Sequence, residues 1–138
     1  MISLTPIVTQ LKAAGYGHVE GVMEFVAQEE APRNLPALFV LPIRTPAEGQ
    51  PRVGAYDQKV TLFFGVIIVM AVPERSPGQV SEQLKVQVDR VLAALFGWKH
   101  PEATDGCMVA DGRLLDFGAG TLSWQNDFAC HYRLRKTR

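Results

Sequence analysis

Apolar positions in this chain fall into three patterns, and each predicts a different kind of element. The first is a continuous run. From Val60 to Val72 the residues read Val-Thr-Leu-Phe-Phe-Gly-Val-Ile-Ile-Val-Met-Ala-Val, with no charge and no proline before Pro73. β-Branched and aromatic side chains suit a pleated surface, because their χ1 freedom is already restricted. In a strand, Leu62, Phe64, Val66, Ile68, Met70 and Val72 point one way. Phe63, Ile67, Val69 and Ala71 point the other, around Gly65. Both faces are apolar, so the run predicts a central strand covered by a helix on one side and by a helix or a partner subunit on the other. A membrane-spanning helix needs about 20 apolar residues, more than this run supplies.

The second pattern has a helical period. Leu84, Val88, Val91, Leu92 and Leu95 make one stripe, while Glu82, Lys85, Gln87, Asp89 and Arg90 stay off it. Ahead of it, Ser76-Pro77-Gly78-Gln79 matches a capping box with Ser76 as N-cap, and Gly97 follows the end. A helix over Ser76–Phe96 is expected, packed on the central strand. Near the N-terminus Leu4, Ile7, Val8 and Leu11 repeat in the same way, with Ser3 or Thr5 as cap and Gly15 and Gly17 as the stop. Met23, Phe25, Val26 and Ala27 suggest a further short helix, closed by Pro32.

The third pattern alternates. Leu122, Trp124, Asn126, Phe128, Cys130 and Tyr132 interleave with Ser123, Gln125, Asp127, Ala129 and His131, which predicts a strand with one apolar face and one polar, solvated face. Leu38–Leu41, between Pro36 and Pro42, reads as a short strand, and His18–Gly21 and Leu114–Phe117 as extended pieces. Asp111-Gly112 carries a tight-turn signal, and Gly118-Ala119-Gly120 reads as a second turn. Arg44–Tyr56 holds Pro46, Gly49, Pro51 and Gly54 with no apolar period, and is expected to be a long loop joining neighbouring strands. The basic tail Arg133–Arg138 is expected to be mobile and solvated. The expectation is a single α+β domain over residues 1–138, a mostly antiparallel twisted sheet with helices packed against it.

Composition changes this picture little. The 138 residues carry 14 basic and 14 acidic side chains, a balance that argues against a dedicated nucleic-acid binder. Cys107 and Cys130 make no disulfide framework and no CxxC, so buried thiols in a reducing compartment are expected. Met-Ile-Ser-Leu-Thr-Pro lacks a basic region followed by an apolar stretch, so no secretory signal is expected and folding in the cytoplasm is.

Candidate chemistry is sparse. His18, His100 and His131 lie far apart, and His131 and Cys130 point to opposite faces of one strand, which makes them poor co-ligands for a metal. Asp105, Asp111, Asp116 and Asp127 are possible paired carboxylates, but all sit in or beside turns, where Asp serves the local backbone. Ser76 and Ser123 have no histidine that the sequence places nearby, and no phosphate- or dinucleotide-binding glycine motif is present. No catalytic residue, cofactor or metal is therefore expected. Trp98 and Trp124 can stack on a base or a sugar, though core or interface packing is the commoner use. With Arg44, Arg52 and Tyr56 of the long loop, they are the candidate assembly-interface residues.

Several stretches together resemble the tail terminator, or tail-completion, proteins of long-tailed bacteriophages and prophages. They are Met1–Val8 with Leu11–Gly15, Pro36–Pro42, Gln58–Val72, Val91–Trp98, and Gly112–Gly118 followed by Leu122–Gln125. These stretches are spread along the chain from Met1 to Gln125 and carry no catalytic signature. The resemblance implies an α+β structural subunit that closes into a ring, a hexamer by expectation. The ring would cap the tail tube, halt its polymerisation and dock the head-side connector. The implied partners are copies of itself, the tail tube protein and the head–tail connector, with non-specific passage of DNA and no membrane. The implied location is the host cytoplasm during assembly and the virion tail afterwards. The alternative is a small-molecule enzyme or ligand-binding α+β domain with its pocket between the sheet and the Arg44–Tyr56 loop. A stand-alone dimer through the central sheet is the third reading.

Overall fold

The computed structural model describes residues 1–21, 35–49, 55–72, 77–118 and 120–137. Their strands, in chain order, are β1 (Val19–Gly21), β2 (Ala37–Arg44), β3 (Ala47–Glu48), β4 (Ala55–Ala71), β5 (Met108–Gly118) and β6 (Thr121–Thr137). Their helices are α1 (Thr5–Ala13) and α2 (Pro77–Leu95). The strands form one open sheet in the order β1-β2-β4-β6-β5, with β3 also pairing with β4. β1 is parallel to β2, and the other pairings are antiparallel. The architecture is α+β, and β4 holds the middle of the sheet.

The two faces of β4 divide as its alternation requires. Leu62, Phe64, Val66 and Ile68 are fully buried with Ile7 and Leu11 of α1, Val91 and Leu95 of α2, and Phe128 of β6. Each such side chain contributes about 1.5–3 kcal/mol through burial. Phe64 and Phe128 stack with ring centroids 5.5 Å apart. Val88 and Leu92 pack at the margin of this core, so the helical stripe faces the sheet as its period dictates. On the reverse face Ala37, Phe39, Ile67 and Val69 form a smaller buried cluster.

The two helices are tied to each other by polar contacts at their edges. Arg90 of α2 donates from Nε and Nη2 to the Ala14 carbonyl at 3.2 and 3.1 Å, capping the end of α1. Its guanidinium lies 4.1 Å from the centre of the Tyr16 ring, and Tyr16 donates to Gln87 Oε1 at 2.8 Å. Gly15 has φ +102°, and a Cβ there would collide with that guanidinium. Burial raises the Tyr16 phenol above its usual range, against the nearby Arg90 charge.

Several expectations need correction. Leu4, not Ser3 or Thr5, is the N-cap of α1 and has no side-chain cap bond. Ser3 Oγ, one residue further out, accepts the Thr5 N–H at 3.2 Å instead. β2 runs on through Pro42, where among the described residues no strand pairs on its other side and a proline is tolerated. Asp111 and Gly112 do not turn the chain: they lie within β5, opposite Asp127 and Asn126. Gly112 serves close approach, since a Cβ there would stand 3.2 Å from Cζ2 of Trp124. The reversal comes at Gly118 and Gly120, with φ of +153° and +80°.

The basic tail is not free either, since Arg133–Thr137 continue β6 and pair with Ala55–Lys59. The expected Arg44–Tyr56 loop is strand at both ends, and Ala47 and Glu48 pair with Val60 and Lys59. Gln50–Gly54, the Ser76 cap and the Met23–Ala27 helix lie outside the described residues.

Candidate assembly surfaces

β6 was expected to solvate one face, and it does not. Gln125 and Asp127 are buried on the side away from the helices. Gln125 Nε2 donates to Asp127 Oδ1, and Arg113 Nη1 of β5 donates to Asp127 Oδ2, both at 2.7 Å. Gly65, opposite Asp127, makes the room: a Cβ there would meet Gln125 Nε2 at 2.5 Å. A buried carboxylate needs such partners, because leaving it bare costs several kcal/mol. The cluster is satisfied within itself and holds β5 to β6.

β5 is exposed at every position, although it carries Met108, Val109, Leu114, Leu115 and Phe117. Val109, Leu114 and Phe117 pair with Phe128, Trp124 and Leu122, so they share the helix-side face of the sheet. α2 does not reach across them. Leu114 is 53% and Phe117 58% exposed. Phe96, just past the end of α2, is 60% exposed. Between helix and strand lies a groove of about 460 Å³, lined by Asp89, Leu92, Ala93, Phe96 and Val109. The result is an apolar ledge along the open edge of the sheet. Register shifts at Ala110 and Leu115 interrupt the edge, as bulges do where free pairing must be limited.

At another corner β4 and β6 outrun their neighbours. Pairs from Ala55↔Thr137 to Gln58↔Leu134 form a two-stranded ribbon with no third strand among the described residues. One side holds Asp57, which accepts from Arg133 at 3.2 Å and Arg135 at 3.4 Å. Partial desolvation works against ionising Asp57, yet these two cations outweigh it and hold its carboxyl below the usual range. The other side carries Leu134, 53% exposed, with Tyr56 and Lys136 beside it.

The residues expected to mark an interface are not gathered in one place. Arg44 ends β2 with its guanidinium 4.2 Å from the Phe63 ring centre, while Tyr56 lies on the ribbon. Arg52 is outside the described residues. Trp98 and Trp124 pack against the main core, and the Trp124 indole N–H donates to Asn126 Oδ1. The sequence does not mark the ledge as a surface, because apolar side chains in a strand pattern read as core. The adjacent pair Leu114-Leu115 was the available signal, since it breaks strict alternation.

Several titratable groups are spent on structure. His100 is fully buried: its Nδ1 accepts the Glu102 N–H at 2.9 Å, so Nε2 donates to the Ser3 carbonyl at 2.7 Å. Asp111 and Asp116 accept from the next residue's N–H, and Asp105 pairs with His131 at 3.2 Å. Cys107 and Cys130 are free, buried thiols side by side; a hydrogen bond to Cys130, then burial, push the Cys107 thiol well above its usual range. Among the described residues no group of three or more His, Cys, Asp or Glu could hold a metal ion. No helix among them is long and apolar enough to cross a membrane.

A family model described as phage tail terminator protein matches residues 1–138. No curated protein matches the chain.

Proposed function

Since the chain belongs to the phage tail terminator family along residues 1–138, we propose that its copies close into a ring on the last ring of a tail tube. The ring stops tube polymerisation and offers its far side to the head–tail connector. The observation that carries this reading is β5, an eleven-residue edge strand exposed along its whole length with five large apolar side chains on it. Such a surface favours a protein partner over a small molecule. A heterologous ring consumes two different surfaces per subunit, and the ledge and the ribbon supply two.

In this reading six subunits form the ring, and DNA passes through without base-specific contacts, in keeping with the balanced charge. The protein works in the host cytoplasm during assembly and stays in the virion tail. No cofactor and no catalytic step enter. Arg44 and Arg52 are the residues of the 44–56 segment offered to the tube, while Tyr56 lies on the ribbon.

The test is tail length. In a phage or prophage carrying this chain, deletion of its gene should yield tubes grown past their set length and few joined to heads. Tails of normal length that join heads without it would remove the proposal. Replacing residues 46–53 by a short Gly-Ser linker should leave melting nearly unchanged and still give overgrown tubes. Normal termination by that variant would clear the segment of any role in assembly.

A further inference from the structure

We propose that the β4–β6 ribbon of one copy seats on the β5–α2 ledge of a second copy, with Leu134 facing Leu114 and Phe117. This inference rests on the ring reading and names the two surfaces that would close it.

Three observations point to the same pairing. The ribbon is two-stranded among the described residues, and a two-stranded ribbon is marginal in water without cover for its apolar side. Its Leu134 has no core to join. The ledge is the converse, an apolar sheet face next to a groove, with Leu114, Phe117 and Phe96 all more than half exposed. Their charges are opposite. On the side that bears Leu134 the ribbon carries Lys136, since Arg133 and Arg135 turn to Asp57 on the other side. The groove beside the ledge carries Asp89, while Asp111, Arg113 and Asp116, opposite Asp127, Gln125 and Ser123, belong to the other face of β5. Unlike charges around an apolar centre set orientation and speed encounter, while the buried centre supplies most of the affinity.

One chain cannot satisfy itself. Leu114 pairs with Trp124, and Leu134 follows ten residues later in the same strand, about 33 Å away at 3.3 Å per residue. Ribbon and ledge therefore meet only between copies, and the contact is heterologous. Each subunit keeps one ribbon and one ledge to give, so association continues past two copies and ends in a ring where the rotation between copies closes.

Mixed variants test this. Leu134→Glu spoils the ribbon alone; Leu114→Glu with Phe117→Glu spoils the ledge alone. Each should keep its melting transition, because all three side chains are more than half exposed. Serine at the same positions replaces glutamate if a transition is lost. Light scattering and native mass spectrometry read the stoichiometry, for the protein alone and on purified tail tubes. Wild type should close a ring, and each variant should associate roughly a hundredfold more weakly. An equimolar mixture should stop at a one-to-one pair, since one sound ribbon and one sound ledge remain. A variant that still closes rings overturns the assignment of surfaces and leaves the ring reading standing, as does a mixture that stays monomeric. A wild type that never exceeds two copies, even on tubes, overturns both.

Discussion

β5 and β6 are the two arms of one hairpin, paired from Met108↔Ala129 to Gly118↔Thr121, and their fates are opposite. From Leu122 to Tyr132 every residue of β6 is buried or half-buried, whereas β5 is exposed throughout. Apolar content does not explain the difference, since both strands are rich in it. Position does. β6 has β4 on its far side and the helices above it, while no described strand lies beyond β5. The contrast shows that an apolar strand residue reports a surface to be covered, and that the cover need not come from its own chain.

The largest effect that can break the comparison is a pair of phenylalanine truncations. Phe128→Ala removes half of the stacked pair in the main core and should cost about 3–5 kcal/mol in a denaturant melt. Phe117→Ala should stay within about 0.5 kcal/mol in the monomer. A loss above about 2 kcal/mol at Phe117 would show β5 to be covered already, and the comparison would collapse. Next in size is Gly65→Ala, which drives a methyl into Gln125 and should cost about 1–3 kcal/mol. In a Gln125→Ala background that cost should shrink. An undiminished cost there would mean that the amide is not what Gly65 accommodates.

Asp127→Ala should cost about 1–3 kcal/mol, because it strips Arg113 and Gln125 of their acceptor. Wild-type stability in that variant would detach β5 from the buried network. The smallest effect belongs to the ribbon and follows pH. The folded Asp57 carboxyl lies below its unfolded value, so its contribution is complete above the unfolded value, near pH 4. It is lost as pH falls through the lower, folded one. Amide-exchange protection at Gln58 and Leu134 should decline over that acidic window in wild type and not in Asp57→Asn. Matching declines in both proteins would assign the loss to other groups.

What could be read without tertiary structure was what a local period encodes. The unbroken run of β4, the α2 stripe and the β6 alternation each define a face from neighbours along the chain, and each element is present. The turn at Gly118–Gly120 was legible for the same reason, because positive φ is a property of single residues. Tertiary structure decided whatever depends on a distant partner. Asp111-Gly112 carries a turn signal, but the Trp124 ring over Gly112 claims that glycine for the strand. The arginine tail reads as solvated until Asp57, far upstream, supplies the pairing that makes Arg133–Thr137 a strand. Gln125 and Asp127 read as a wet face, and only Gly65 and Arg113 make their burial affordable. The candidate surfaces follow the same division. The apolar residues of β5 were visible at once, but whether α2 reached far enough to cover them was a question of where a helix lies on a sheet, which no local pattern carries.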